Sequence, residues 1–304
     1  MSGALTDKVA LVTGASRGIG KGIALELGAA GATVYCTART IEPTGDLIGT
    51  LPQTIADIAE LGGTGIALQC NHSKDAETEA VFERIESDHG RLDVLVNNAC
   101  GTPELAEGIG TSFWDLPRDT WDSSMDVGLR SNFVCSQLAA PTMVRQGSGL
   151  IVNISSHGAV DYLLSVPYGV AKAGVDKLTR DTALELQQHG VTVVSLWPGL
   201  VKTEHLMAQA TELPDGRVEA YGLDLGFAES PRFSGRAVVA LATDPEVHRH
   251  TGTSLVPAQL ALDYGFTDVD GNVPPVVRGV ADLVGEDGDI PEFWKEVESF
   301  GGDG

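Results

Sequence analysis

The sequence predicts a doubly wound α/β fold, a parallel sheet with helices packed on both faces. Three observations predict it. Short runs that are apolar along their whole length recur through the first two-thirds of the chain, as strands buried on both faces require. They alternate with longer helical patterns, the rhythm of right-handed βαβ crossovers. The first run ends at a cluster of glycines that leads directly into a helix, the local grammar of a phosphate-binding turn.

The elements follow in order. Val9-Ala-Leu-Val-Thr13 is β-rich and stops at glycines. Residues 18–30 read as a helix closed by Gly31. Thr33-Val-Tyr-Cys-Thr37 is the second strand, and a helix over 52–61 ends at Gly62-Gly63. Ile66-Ala-Leu-Gln-Cys70 is the third strand, followed by a helix over 75–88. Leu92-Asp-Val-Leu-Val96 is the fourth strand, and a long helix covers 119–145. Leu150-Ile-Val-Asn-Ile154 is the fifth strand, with a helix over 167–189. Val191-Thr-Val-Val-Ser-Leu196 is the sixth. A helix over 234–243 precedes a short strand at Ser254-Leu-Val-Pro257. Residues 40–52 form a Pro/Gly-rich loop longer than most βα connections. Residues 1–260 are expected to form one catalytic-type domain. Residues 261–304, rich in Gly, Pro and acids, are expected to be an extension over the sheet edge, not a second domain.

The chain has 304 residues and a net charge of −22. Such a surface repels a phosphate backbone and an anionic bilayer, so nucleic-acid and membrane-surface binding are not expected. No run approaches the roughly 18 apolar residues of a membrane span. The N-terminal Met-Ser-Gly-Ala-Leu-Thr-Asp-Lys has no signal-peptide pattern, and a cytoplasmic location is expected. Cys36, Cys70, Cys100 and Cys135 lack CxxC spacing and read as free thiols, with no metal expected.

After the first strand comes Thr13-Gly-Ala-Ser-Arg-Gly-Ile-Gly20. Gly14, Gly18 and Gly20 allow a tight turn and close approach to a pyrophosphate, with Ser16, Arg17 and Ile19 in the same loop. The helix N-terminus supplies N–H donors and a favourable dipole. A NAD site normally carries an acid at the end of the second strand for the ribose 2′-hydroxyl. Here that strand runs into Thr37-Ala-Arg-Thr40. Arg39 is placed to fork onto a 2′-phosphate with Arg17 on its other side, which favours NADP(H) and leaves NAD(H) as the alternative.

Tyr168 and Lys172 are four residues apart on a helical pattern, so a phenol and an ammonium share one face. The pair suggests acid-base work on a carbonyl or alcohol oxygen. The cation is expected to pull the phenol down from its ordinary pKa of about 10. The bland alternative is a helix start with an exposed lysine.

The glycine loop, Asn97-Asn-Ala99, Ser155-Ser156, Tyr168-x-x-x-Lys172 and Pro198-Gly199, taken in order, resemble the short-chain dehydrogenase/reductases over about residues 5–257. Asp126-Val-Gly-Leu-Arg130, Val166-Pro-Tyr-Gly-Val170, Leu196-Trp-Pro-Gly-Leu200 and the Gly252–Gly271 segment look like the subgroup called dehydrogenase/reductase member 1. The resemblance implies a single Rossmann-like domain and NAD(P)-linked carbonyl/alcohol chemistry. It implies that Tyr168 is the general acid/base and that Lys172 lowers its pKa and holds the nicotinamide ribose. A serine would polarise the substrate oxygen. Ser155 has the usual spacing to the tyrosine, whereas Ser156 has the usual place in the pair, and position after the strand favours Ser156. Asn97 and Ala99 would line the cofactor and Asn71 would offer an amide to the adenine. Pro198, Gly199, Val201 and Thr203 would lie near the carboxamide and phosphates. A homo-oligomer, dimer or tetramer, through the long helices is also implied.

Three positions depart from the family pattern. Cys100 replaces a glycine, Asn71 replaces an aspartate, and Gly128 replaces the relay asparagine, with Asn132 one turn further on as a candidate substitute. Residues 204–231 would either wall an apolar pocket with Tyr162, Leu163 and Leu164 or form a helical lid with its own core. The leading expectation is an NADP(H)-dependent carbonyl reductase/alcohol dehydrogenase for an apolar ketone, aldehyde or secondary alcohol. NAD-dependent alcohol oxidation and a non-catalytic NADP(H) sensor are its alternatives.

Overall fold

The structure, a computed structural model, describes residues 3–43, 48–101, 111–221, 223–279 and 282. Seven strands form its main sheet: β1 (Val9–Thr13), β2 (Thr33–Ala38), β3 (Thr64–Gln69), β4 (Val94–Asn97), β5 (Gly149–Ile154), β6 (Val191–Leu196) and β10 (Ser254–Leu255). Their spatial order is β3-β2-β1-β4-β5-β6-β10, and every pairing is parallel. Three short strands, β7 (Thr211–Glu212), β8 (Val218–Ala220) and β9 (Leu223–Asp224), make a separate antiparallel sheet.

The apolar runs are buried on both faces because the pleat deals their side chains to two cores. Ala10, Val12, Val94, Val96, Leu150 and Val152 enter one cluster, which also holds residues of α1 (Gly18–Ala29), α2 (Leu51–Glu60) and two later helices. Val9, Leu11, Leu95 and Ile151 enter the other, against α3 (Asp75–His89) and two further helices. A one-residue slip in register would exchange these sets, so the paired cores fix the register. Strand β3 is the exception. It lies at the sheet edge with every residue exposed or half-buried, so its apolar run does not mark a central strand.

The expected long helix is three pieces: α4 (Arg118–Met125), a π-helical turn at Asp126–Arg130, and α5 (Ser131–Gln146). Periodicity alone does not reveal the extra residue that such a turn inserts. Helix α6 (Val166–Leu186) starts where Ser165 Oγ accepts from Tyr168 N at 3.4 Å, with Pro167 in its first turn. Residues 204–231 begin with the one-turn helix α7 (Glu204–Ala208) and continue into β7–β9.

Helix α8 (Pro231–Thr243) begins three residues before the expected start, and α9 (Pro257–Tyr264) crosses the expected boundary at 260 with Leu260 and Ala261 both in the core. The extension up to 279 therefore begins as part of this packing. Phe266 and Val277 are buried as well. Residues 280, 281 and 283–304 of that extension, and 44–47 of the Pro/Gly-rich loop, lie outside the described residues. Among the described residues no helix is long and apolar enough to cross a membrane.

Candidate active site

The chain reverses direction across the sheet between β1 and β4, and a crevice opens at the strand ends there, where such folds place ligands. Thr13 ties its two walls together. Its Oγ1 accepts from Asn98 N at 2.9 Å and Ala99 N at 3.0 Å. Asn98 Nδ2 donates to Thr13 O at 2.8 Å and Gly14 O at 3.1 Å. Gly14 turns with φ +68, and a Cβ on Gly20 would sit 2.3 Å from Asn98 Nδ2 and 2.4 Å from Gly14 O. Any side chain there would break the turn, so the sequence leaves bare backbone facing the crevice. Ser16, Arg17, Gly18 and Ile19 continue this wall, Arg39 and Asn71 stand at its outer end, and Ala99 and Cys100 at its inner end.

The expected pair of arginines is present but unequal. Arg17 donates to Ile48 O at 2.9 Å, Gly49 O at 3.0 Å and Thr40 Oγ1 at 3.1 Å, so it pins the loop after β2. Arg39 is exposed on the crevice rim. Asn71 Oδ1 accepts from Ser73 N at 3.2 Å and Ser73 Oγ at 2.9 Å, which directs its side chain. His72 beside it was not anticipated. It is buried, its Nε2 is 2.7 Å from Thr37 Oγ1 and its Nδ1 is 3.1 Å from Thr78 Oγ1. Burial drops its pKa to about 4, so it is a neutral link between β2 and α3. The turn Asn71-His-Ser-Lys74 is polar throughout, so nothing in the sequence set this residue apart. Cys36, Cys70, Cys100 and Cys135 are free thiols, and no metal-binding cluster exists among the described residues.

Three expected residues converge at the inner end. Tyr168 Oη donates to Ser156 Oγ at 2.9 Å. Lys172 Nζ donates to Ile154 O at 2.8 Å and lies 5.5 Å from the Tyr168 ring centre. Strand β5 ends at the carbonyl of Ile154 and the serine follows two residues on; the first two turns of α6 deliver the tyrosine and lysine. Ser155 separates from this group. Its Oγ donates to Lys172 O at 3.3 Å, under α6 and away from the phenol.

The expected depression of the Tyr168 pKa is reversed. Burial pushes the phenol well above its ordinary value, the Ser156 hydrogen bond opposes this, and Cys100 adds to it. Burial likewise lowers Lys172. Desolvation sets the sign, and the Lys172 ammonium is held by a backbone carbonyl. The phenol therefore keeps its proton.

Other expectations need correction. Asn97 does not line the crevice. Its Nδ2 donates to Asn153 Oδ1 at 2.8 Å and Ser136 Oγ at 3.1 Å, so it braces β4 against β5 and α5, and its neighbour Asn98 faces the crevice instead. Asn132 does not stand in for a relay to Lys172. Its backbone O receives Asn97 Nδ2 at 3.4 Å and its Oδ1 receives Ser131 Oγ at 3.5 Å. Gly128 lies in the π-helical turn, and a Cβ there would meet only Ala171 Cβ, at 3.8 Å.

Pro198, Gly199 and Val201 follow β6 and lean on an unanticipated acid. Glu229 is 2 % exposed; its Oε2 accepts from Gly199 N at 3.4 Å, its Oε1 from Ser234 Oγ at 3.1 Å, and its backbone bridges Val201. Thr203 faces the crevice. The following segment is a lid with its own small core of Ala220, Leu225 and Ala228, with Leu200 and Leu206 packed on it. Leu206 and Leu225 thus serve the lid, while Met207 and Tyr221 are exposed. The C-terminal extension reaches this end too. A Cβ on Gly199 would be 3.9 Å from Val277, and one on Gly279 would be 2.7 Å from Asp161 Oδ2. His157, buried with neither ring nitrogen hydrogen-bonded, follows Ser156 directly.

Comparison with known proteins gives this constellation its context. The family model described as short chain dehydrogenase matches residues 8–214. Dehydrogenase/reductase SDR family member 1 of Mus musculus is 44% identical over 272 residues, 88% of this chain and 85% of that protein. A metagenomic short-chain oxidoreductase crystallised with NADP superposes with a TM-score of 0.64 at 29% identity, over 83% of this chain and 97% of the other. A 7α-hydroxysteroid dehydrogenase complexed with NADH and 7-oxo glycochenodeoxycholic acid gives 0.68 at 27% identity, over 83% and 93%. The bare glycine cradle fits a dinucleotide pyrophosphate, and the chain belongs to the short-chain dehydrogenase/reductase family of NAD(P)-linked oxidoreductases.

Proposed function

We propose that this protein is an NADP(H)-dependent carbonyl reductase/alcohol dehydrogenase acting on an apolar ketone, aldehyde or secondary alcohol. The observation that carries the reading is the 2.9 Å Tyr168–Ser156 hydrogen bond one helical turn from Lys172. In reduction, a bound dinucleotide would supply the hydride for the carbonyl carbon. Ser156 Oγ–H and Tyr168 Oη–H donate to the carbonyl oxygen and stabilise the negative charge that builds there. Tyr168 then transfers its proton to that oxygen, completing the alcohol. Lys172, anchored by Ile154 O, stabilises the resulting phenolate until a proton returns. A phenol that burial keeps protonated suits this direction. The structurally similar hydroxysteroid dehydrogenase, seen with an oxo bile acid, supports an apolar carbonyl compound as the substrate class.

Arg39 on the crevice rim, with no acid at the end of β2, supports NADP(H). Exposed Trp121 and Phe133 on α4 and α5, and Val170 and Leu184 on α6, support assembly into a homo-oligomer through these helices.

Tyr168→Phe keeps the ring and removes the donor. It should lower kcat for NADPH-dependent reduction by about 100- to 10,000-fold, the usual reach of a general acid. Unchanged NADPH consumption across a carbonyl panel would refute the assignment. Arg39→Asp should shift the NADPH/NADH preference by about 10- to 100-fold toward NADH, the scale of a charge-assisted phosphate contact. An unaltered ratio would remove the argument for NADP(H).

A further inference from the structure

The donor at the mouth of the cradle already has a partner, and it is an anion from the lid. Gly18 N–H, in the first turn of α1, donates to Glu204 Oε2 at 2.7 Å across 186 residues of sequence. First-turn N–H groups have no intrahelical acceptor and carry the positive end of the helix dipole. They are the groups that a dinucleotide phosphate would use. The local design aims Glu204 at them. Thr203 Oγ1 caps α7 by accepting from Leu206 N at 3.2 Å, and Thr203 N donates to Val201 O at 2.7 Å, which fixes the direction of the first residue of α7. Thr203 Cγ2 itself packs against the Gly18 turn, 3.4 Å from where a Cβ would be. Glu204 also feels Arg17. Burial lowers the pKa of that guanidinium, the Glu204 carboxylate opposes the lowering, and Arg39 adds to it. The carboxylate thus sits in the positive field that a phosphate would occupy.

We propose that Glu204 is a tethered anion that competes with the dinucleotide phosphates for the glycine cradle, so that cofactor binding unlatches α7 from the loop. The proposal rests on the reading of this crevice as a dinucleotide site. It deepens that reading by assigning a residue that sets cofactor affinity and links it to the lid. One N–H cannot give its hydrogen bond fully to both acceptors. The observed dinucleotide Kd is therefore the intrinsic value multiplied by the bias toward the latched form. Because α7 packs Leu206 into the lid core, arrival of the dinucleotide frees the lid before substrate binds. Departure of the dinucleotide lets Glu204 draw it back.

The test measures Kd for NADPH and NADH by calorimetry on the full chain and on Glu204→Gln and Glu204→Ala. Both variants should bind about 5- to 30-fold more tightly, the scale of one half-exposed charge-assisted hydrogen bond. Hydrogen exchange of the protein alone gives an independent readout. The Gly18 amide and residues 204–208 should exchange faster in Glu204→Ala than in the natural chain. Inorganic pyrophosphate should release residues 204–208 in the natural chain and have no such effect in the variant.

Equal or weaker dinucleotide binding by the variants overturns the proposal. So does tighter binding with unchanged exchange at Gly18, which would show simple charge repulsion without a latch. If no form binds either dinucleotide, the reading of the crevice fails; the pyrophosphate exchange result still decides whether Glu204 competes for the cradle.

Discussion

Glu229 offers a test in which the sign and the size both come from the structure. Its carboxyl is 2 % exposed and receives only a long hydrogen bond from Gly199 N, 3.4 Å, and one from Ser234 Oγ, 3.1 Å. Burial pushes its pKa from 4.5 up to about 8; the two hydrogen bonds oppose this and the nearby Asp268 adds to it. Below pH 4.5 the acid is protonated in both the folded and unfolded chains, and folding carries no penalty from it. Between 4.5 and about 8 the unfolded chain ionises while the folded chain keeps the proton, so stability falls as pH rises. Above 8 the penalty is constant.

At about 1.4 kcal/mol per pH unit, the interval from 4.5 to about 8 sets an upper limit of roughly 5 kcal/mol. Glu229→Gln keeps the shape, an oxygen for Gly199 N and an amide for Ser234 Oγ, and cannot ionise. Urea unfolding of both proteins from pH 5 to 9 should show near-equal stability at pH 5. By pH 9 the variant should be ahead by about 3–5 kcal/mol. All other titrating groups are common to both, so the difference isolates this carboxyl. Parallel stability curves would refute the reasoning. Since Glu229 backs Gly199 and Val201, the KM for dinucleotide in the natural chain should rise over the same pH interval and rise less in the variant.

Two further outcomes follow from the site. Gly128→Asn should fold with unfolding free energy within about 1 kcal/mol of the natural chain, because its Cβ would meet only Ala171 at ordinary contact distance. Its kcat should rise if a side chain there extends hydrogen bonding toward Lys172, and a fall of more than tenfold in steady-state assays would count against that role. Gly20→Ala should abolish dinucleotide binding in calorimetry, since a Cβ 2.4 Å from Gly14 O cannot be accommodated without opening the turn; binding within threefold of the natural chain would mean that the cradle is not the site.

What the sequence made legible was whatever repeats locally or sits at a fixed spacing. The two-core alternation of Val9 to Val12 and of Val94 to Val96 follows from the pleat, and it appeared as runs apolar throughout. Gly14, Gly20, Tyr168 and Lys172 were readable because turn geometry and helix spacing are short-range rules. The direction in which a side chain leaves such a segment is not short-range. Asn97 and Asn98 are adjacent, yet the pleat sends one into the core and the other to the crevice. Ser155 and Ser156 divide the same way, one beneath α6 and one at the phenol.

The sign of the Tyr168 shift differs from expectation for a related reason: spacing reveals the neighbouring cation but not the burial that sets the sign. Glu204 and Glu229 lay wholly outside such rules. Each looked like one more acid in a chain of net charge −22. Yet Glu204 meets a helix N-terminus 186 residues away, and Glu229 supports a loop 30 residues before it. In so acidic a protein, the carboxylates with consequences are those that the fold brings to backbone N–H groups, Gly18 in the crevice and Gly199 after β6. There an acid competes with a phosphate, or shifts its proton, instead of adding one more solvated charge.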